Sequence, residues 1–548
     1  MHAEASRPHV KPSWLSLLLL ATSVHLAPAA EVATSVRIVV LDANDRQPLA
    51  CRVYVRGPSD KFLEGVIRSL DPQGSAVVYS KVKRGATEIH TTVSAHPFAV
   101  DLPPGKYTIL VERGKEYRPL AQDLTVGDAP ITVEIPLRRW VDMADRGWYS
   151  GDTHVHRPLE ELPNLMQAED LNVAFPLTYW VHEANVLPEQ GKDTRIPARP
   201  NLIEVDKTHV IYPLNTEYEI ATVGGAKHLL GAFFVINQKN VLRKGVPPVG
   251  PIAEQAHREG ALIELDKHVW PWTMMLVPVM QADLYELANN HIWRTGFTFK
   301  KFEQEPPDYM QIERDAEGWT EWGWIDFGFQ NYYALLNCGF RLKPTAGNAS
   351  GVHPVPLGFG RVYVHLPEGF SYKTWMKALA NGRSFVTTGP MLFCKVNGEL
   401  PGHTFQQAQT DPGNYEVSGS ILSEQPLDRI ELIVNGEIAR TIRPTNQKDS
   451  SDAFINAVNE KLTIESTSWI AVRAFEYVAD KRVRFAHSSP VFVDVEGRPL
   501  RPRKAEIEYL IKRVQDQIAR NVSVLTKESL DEYQDALRSY QSILNPQQ

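Results

Sequence analysis

Apolar and polar positions divide the chain into three kinds of pattern. Ser35–Leu41 and Cys51–Arg56 alternate or run apolar in β-branched residues, which predicts strands. Asp42-Ala43-Asn44-Asp45 and Pro103-Pro104-Gly105 supply the turns between such strands. After about residue 140 strands and helices mix. Ile252–Glu259 has helical spacing, Gly260 stops it, and Ala261–Leu265 reads as the strand that follows. Tyr372–Leu379 predicts another helix, closed by Asn381-Gly382, and Ala282–Leu287 is helix-like. Such alternation predicts parallel strands with helical crossovers. From about residue 391 strands return, with hairpin signals at Val396-Asn397-Gly398-Glu399 and Val434-Asn435-Gly436-Glu437 and further strands at Trp469–Phe475 and Val491–Val495. The tail places Ile507, Leu510, Ile511, Val514 and Ile518 on one helical face. A second helix after Thr526 does the same with Leu530, Tyr533, Leu537 and Tyr540. Docking of this pair on the body as a hairpin is expected; dimerisation is the alternative.

The N-terminus adds a targeting signal. Arg7 and Lys11 form a positive region, Trp14–Ala21 an apolar run and Ala27-Pro28-Ala29 a cleavage site, so residues 1–30 read as a secretory leader and the mature chain as secreted or periplasmic. No later run is apolar for the length a bilayer span needs. The expected divisions are thus 1–30 leader, 31–140 β-sandwich, 141–390 α/β region, 391–500 second β-sandwich and 501–548 C-terminal helices. A net charge of −7 over 548 residues is mild and argues against a nucleic-acid partner. Cys51, Cys338 and Cys394 are too few and scattered for a disulfide framework or thiolate metal site; Cys338 and Cys394 pairing is the alternative to buried free thiols.

Candidate chemistry centres on Gly151-Asp152-Thr153-His154-Val155-His156. Residues two apart on a strand share a face, so His154 and His156 can present two imidazoles to one ion, although a surface strand also carries such a pair harmlessly. Further candidates along the chain are His182, Glu217, His228 and His268. Asp266 and Lys267 are catalytic candidates. Regular alternation would place Asp266 near the site with His268. Lys267 would need a bulge or loop to reach it, there replacing part of a missing metal's charge, or else is simply solvated. Trp270, Trp272, Trp319, Trp322 and Trp324 are expected to pack or line a cleft, and Asn289, Asn290 and His291 to line a pocket mouth.

Two resemblances follow from these motifs. Leu102-Pro103-Pro104-Gly105-Lys106-Tyr107-Thr108-Ile109-Leu110-Val111 resembles a stretch of carboxypeptidase regulatory-like, transthyretin-like β-sandwiches, which implies an accessory module at 31–140. The middle region resembles the PHP (polymerase and histidinol phosphatase) superfamily, within it the CehA/McbA-type metallohydrolases. The motifs are Gly-Asp-Thr-His-Val-His (151–156), Glu217 followed by His228, the helix–strand unit 254–268 ending in His268, and Asn381–Pro390. The resemblance implies a distorted (βα)7 barrel between two β-sandwich modules, with metals at the strands' C-terminal ends. The whole is then a multidomain α/β plus β protein ending in a helical hairpin. It further implies a hydrolase of small-molecule esters, carbamates or phosphoesters using one or two divalent ions (Zn, Mn or Fe). One ion would be held by His154, His156 and Glu217; a second, tighter one by Glu217, His228 and His268. Asp152 would orient a ligand histidine, and His182 could replace a displaced family Asp-His pair. Gly347-Asn348-Ala349-Ser350-Gly351 lacks the late Asp and His of the family, so the site is reduced. A PHP-like protein that binds ligand or metal without catalysis is the alternative.

Overall fold

The computed structural model describes residues 33–301, 304–409 and 412–545, so the leader expected over 1–30 lies outside the described residues. It is a multidomain, sheet-rich protein with seven α-helices among the described residues: α1 (Leu162–Glu169), α2 (Gly250–Glu259), α3 (Thr273–Met280), α4 (Glu321–Asn337), α5 (Tyr372–Ala380), α6 (Lys504–Asn521) and α7 (Lys527–Leu544).

The N-terminal region pairs a four-stranded sheet with a five-stranded one. Val36 and Ile38 from the first sheet and Val53, Val55, Ile109 and Val111 from the second fill the core between them. Burying one face of each sheet is what the period-two pattern demands. The five-stranded sheet includes the hairpin Ala76–Lys83/Ala86–Val93.

In the middle region, Trp148–Val155 runs parallel to Val173–Pro176 across α1 and antiparallel to Arg361–His365. A second sheet orders Tyr179–Glu183, Thr216–Val223, Ala226–Ile236, Leu262–Leu265, Leu284–Ala288 and Lys343–Ala346. The two sheets meet at both ends of this series. Leu177 N donates to Val155 O (2.9 Å) on one side, and Val155 bridges Ser350 on the other. α3 and α4 separate parallel neighbours as the alternation predicts. Two departures are informative. Thr216–Val223 and Ala226–Ile236 form an antiparallel hairpin around Gly224-Gly225, both with positive φ (59° and 75°), where no helix intervenes. The helix-like Ala282–Leu287 is instead the strand Leu284–Ala288, buried throughout. A strand covered on both faces has no polar side, so its apolar run carries no period that separates strand from helix. Within α4, Trp324 is fully buried, as are Trp319 beside it and Trp272 at the start of α3.

The third region does not begin at a break. Ser384–Thr387 pairs antiparallel with Arg484–Ser488, so one sheet runs through the 390/391 division into Ser468–Glu476 and Leu427–Val434. Met391–Val396, Gly413–Ser423 and Phe454–Ile464 form a separate sheet whose Val417 and Ile421 share a core with Ile430 and Ile470. Both Asn-Gly pairs make the two-residue turns their residues favour, with φ of 47° and 80° at Asn397-Gly398 and 50° and 83° at Asn435-Gly436.

α6 and α7 dock on the body. Glu532 of α7 accepts from Val249 N (2.8 Å) and Gly250 N (2.7 Å) at the start of α2, where a carboxylate meets unpaired N–H groups and the helix dipole. Tyr540 donates to Met274 O (2.8 Å) and Arg513 of α6 to Trp270 O (2.8 Å). The three cysteines are free. No described helix is long and apolar enough to cross a membrane.

Candidate metal centre

His154 is the last residue but one of the buried strand Trp148–Val155, and His156 stands just past its end. The backbone there is held on both sides: Ala349 N donates to His154 O (2.7 Å) and His156 N to Ser350 O (2.9 Å). Aromatic rings fix the imidazoles, with Phe234 at 4.4 Å from His154 and Trp180 at 4.5 Å from His156 between ring centroids. Glu217 enters from Thr216–Val223, in register with Trp180 and Phe234 of the flanking strands, so the residues that pack the rings also set the carboxylate's level.

The three donor groups converge. His154 Nε2 lies 3.2 Å from His156 Nε2, and His156 Nε2 lies 3.2 Å from Glu217 Oε2. Ligand atoms held about 2.0–2.1 Å from a tetrahedral ion stand about 3.3 Å apart, so this spacing suits a shared cation. An imidazole–imidazole hydrogen bond alone would account for the first distance but leaves Glu217 Oε2, which has no hydrogen-bond partner among the described residues. Burial raises the Glu217 pKa to about 8, with Lys267 opposing. Burial lowers His156 to about 4 and His154 well below the ordinary imidazole value. Above mild acidity both rings are neutral with lone pairs available, the state a metal requires.

A second group, Asp266 and Glu286, stands behind His154. His154 Nδ1 lies 3.2 and 3.3 Å from the two Glu286 oxygens. With Nε2 facing His156 and Glu217, Nδ1–H donates to Glu286, a pairing that orients the ring. Burial first, and then Asp266, push Glu286 well above the usual carboxylate range. Lys267 Nζ donates to Asp266 Oδ2, while Asp266 Oδ1 has no partner among the described residues.

The sequence candidates separate accordingly. His154, His156 and Glu217 come together, with Asp266 and Lys267 beside them; Lys267 reaches the cavity because Leu262–Leu265 ends before it. Asp152 does not orient an imidazole. It accepts from His154 N (3.1 Å), Gly358 N (3.0 Å) and Asn348 Nδ2 (2.6 Å), so it fixes the backbone, and the ring's partner is Glu286. His182 sits at the rim, its side chain 53% exposed, with Nδ1 3.6 Å from Glu219 Oε2.

His228 and His268 join neither group. Glu217 pairs with Phe234 across the hairpin, so His228 is six residues farther along its strand, about 20 Å at 3.3 Å per residue. Its Nε2 instead meets Asn521 Oδ1 of α6 at 2.7 Å. His268 points into the body, its ring 4.4 Å from that of Trp324, against Gly328 of α4, where an added Cβ would stand 3.2 Å from the ring.

Glu286, Glu219 and His353 were not legible as site residues. Glu286 had a signal, a carboxylate inside the apolar run Leu284-Tyr285-Glu286-Leu287-Ala288, which a helical reading hides. His353 lies two residues past the Gly347–Gly351 stretch and lines the cavity with His291, the latter where a pocket-mouth role was expected. This cavity has about 270 Å³ and includes Glu219, whose pKa burial and then Glu217 raise to about 7.

The chain matches no protein-family model and no curated protein. Two solved structures align with it at 11% identity. One is a two-domain protein from Bacteroides vulgatus ATCC 8482 containing a predicted PHP-like metal-dependent phosphoesterase, over 63% of this chain and 94% of that one at a TM-score of 0.28. The other is a β-glucuronidase from Parabacteroides merdae, over 83% of this chain and 61% of that one at a TM-score of 0.14. Superpositions this loose carry no argument about fold or activity.

Proposed function

We propose that this chain is an exported, metal-dependent hydrolase of the PHP type, acting on a small-molecule ester, carbamate or phosphoester. The observation that carries the reading is the convergence of His154 Nε2, His156 Nε2 and Glu217 Oε2 at 3.2 Å spacings with Glu217 Oε2 otherwise unpartnered. The strand series from Trp148–Val155 round to Lys343–Ala346, meeting again at the Val155–Ser350 bridge, supports a distorted barrel with His154 and His156 at a strand's C-terminal end. The motif resemblance of 151–156 and 254–268 points the same way.

Two imidazoles and a carboxylate suit Zn, Mn or Fe, and three protein ligands leave a position open. Such an ion, when bound, supplies Lewis acidity that acidifies a water and polarises the substrate's carbonyl or phosphoryl oxygen. The chain's own residues do the rest. Glu286 holds the His154 ring in one tautomer and orientation. Asp266 fixes Lys267 by an ion pair, and the ammonium faces the cavity, where it offsets negative charge developing on the substrate. Glu219, with a pKa raised to about 7, is poised to accept a proton from water in the cavity and return it to the leaving group. Trp180 and Trp270 line the cavity and exclude water from one side.

The test is hydrolysis of aryl esters, carbamates and phosphoesters by full-length mature protein purified without chelators. Turnover that chelation abolishes and Zn, Mn or Fe restores is expected. Metal-loaded protein inert on every class would replace the hydrolase reading with that of a metal-binding module.

A further inference from the structure

The N-terminal β region reaches into the cavity of the candidate centre. Its hairpin Ala76–Lys83/Ala86–Val93 turns through Arg84 and Gly85, with φ of 50° and 82°. Asn or Gly ordinarily fills such positions, so an arginine at the first is held at a conformational cost. The hairpin is anchored beside the centre. Tyr79 donates to His353 O and accepts from Gly351 N (3.0 Å), within the loop that follows His156's backbone partner Ser350. The Arg157 guanidinium covers the Tyr79 ring at 4.5 Å. Tyr79 and Lys83 are four residues apart on one strand and share a face, so this anchoring carries Lys83 to the cavity, where Lys83 and Arg84 join His154, His156 and Glu217 in the lining.

Glu217 and Glu219 line this cavity too, and Glu219 attracts Lys83, but no carboxylate is paired directly with either cation among the described residues. Among the described residues neither Lys83 nor Arg84 makes a salt bridge, and Arg84 lies over the Phe299 ring at 4.7 Å. Burial, then Arg84 and Lys81, lower the Lys83 pKa, with Glu219 opposing. Arg84 also lines an adjoining cavity of about 480 Å³, shared through Trp270, His291 and Phe299. There Lys301 and Arg520 add positive charge, and no carboxylate lines it among the described residues. Clustered cations without direct ion pairs around an apolar wall describe a receptor for an anion on an apolar body.

We infer that Lys83 and Arg84 are the substrate-binding residues for an oxyanionic group, carboxylate or phosphate, carried on an apolar or aromatic body whose scissile bond faces His154 and His156. This rests on the hydrolase reading for the scissile bond; the anion site itself is read from the hairpin and its cavities. It assigns the N-terminal region to substrate binding.

Titration calorimetry of the full mature chain with phenylphosphonate, benzoate and benzyl alcohol tests it, with metal content measured on the same samples. Arg84→Gly suits the turn's backbone and Lys83→Gln removes the charge while keeping most of the side chain's length, so neither threatens folding. Each should weaken the better-bound anion at least about tenfold, the scale of one charge-assisted hydrogen bond. Metal content should not change, and Arg84→Lys should recover part of the loss. The tighter of the two anions then assigns a phosphate- or carboxylate-bearing substrate. Unchanged anion affinity in both variants overturns the inference, as does no anion binding by the parent protein. An equal loss for benzyl alcohol, or loss of metal with affinity, overturns it too, since shape or support of the centre would then be the hairpin's role. Anion binding that depends on Lys83 and Arg84 in protein holding no metal would sink the hydrolase reading while leaving the anion site standing.

Discussion

Exchanging His154 and His268 separately for alanine decides between two ligand sets. The motif resemblance assigns both to metals; the geometry groups only His154 with other donor atoms. Structural zinc sites in zinc-finger peptides bind with roughly 10–16 kcal/mol, which over four ligands is about 3–4 kcal/mol each, so losing one weakens binding roughly 10²–10³-fold. His154→Ala should therefore lose its ion on dialysis against a competing chelator. The His268 ring touches Trp324 and Phe327, at 4.4 and 5.3 Å between centroids, and neither ring nitrogen has a partner among the described residues. His268→Ala should lose packing worth about 2–4 kcal/mol, partly offset by removal of two buried unpaired nitrogens, for a net of about 1–3 kcal/mol. Elemental analysis and chelator competition read the first effect and denaturant unfolding the second. His257, whose Nε2 meets Asp283 Oδ2 at 3.0 Å away from the centre, serves as the control in both. Metal lost from His268→Ala without loss of stability, or retained in His154→Ala, would refute the assignment.

Other outcomes follow from the same groups. Glu286→Gln should bind metal about 10–100-fold more weakly while unfolding like the parent, since it orients His154 without coordinating. In metal-free protein, Glu217 has a folded pKa of about 8, far above the unfolded carboxyl value. The native state thus keeps a proton that the unfolded chain has shed, and stability falls as pH rises toward 8. The buried histidines' lowered pKa values act oppositely only below about pH 6.5, so the window is 6.5–8. There, Glu217→Gln should flatten the stability–pH slope by about 1.4 kcal/mol per unit, roughly 2 kcal/mol in all, read by urea titration at each pH. Arg513→Ala should destabilise by about 2–4 kcal/mol, because His268 O and Trp270 O lose a buried charged donor. Mass spectrometry of the exported protein should find its first residue near Ala30 or Glu31; native protein retaining Met1 would remove the compartment assignment.

Local chemistry was readable wherever a residue's role depends on near neighbours. Cys51–Arg56 is the strand its alternation predicts, and α2 stops at Gly260, which takes φ of 77°. The Asn-Gly turns and the two amphipathic tail helices are equally local, since backbone dihedrals and a 3.6-residue face are settled within a few residues. The pairing of His154 with His156 follows from the same short range. Periodicity names the face a residue occupies but not the strand that will lie beside it. His154 meets Glu286 across 132 positions because Glu286 aligns with Thr345 in adjacent parallel strands and the chain just past Ala346 runs beside Val155. His228 leaves the centre because the chain turns back antiparallel at Gly224-Gly225, which converts eleven residues of sequence into a displacement along the strand. Lys83 enters because a hairpin docks on the Gly351–His353 loop. Coordination and charge recognition are conditions on distance, and distance between remote residues is decided by strand register and docking, which the whole chain settles together.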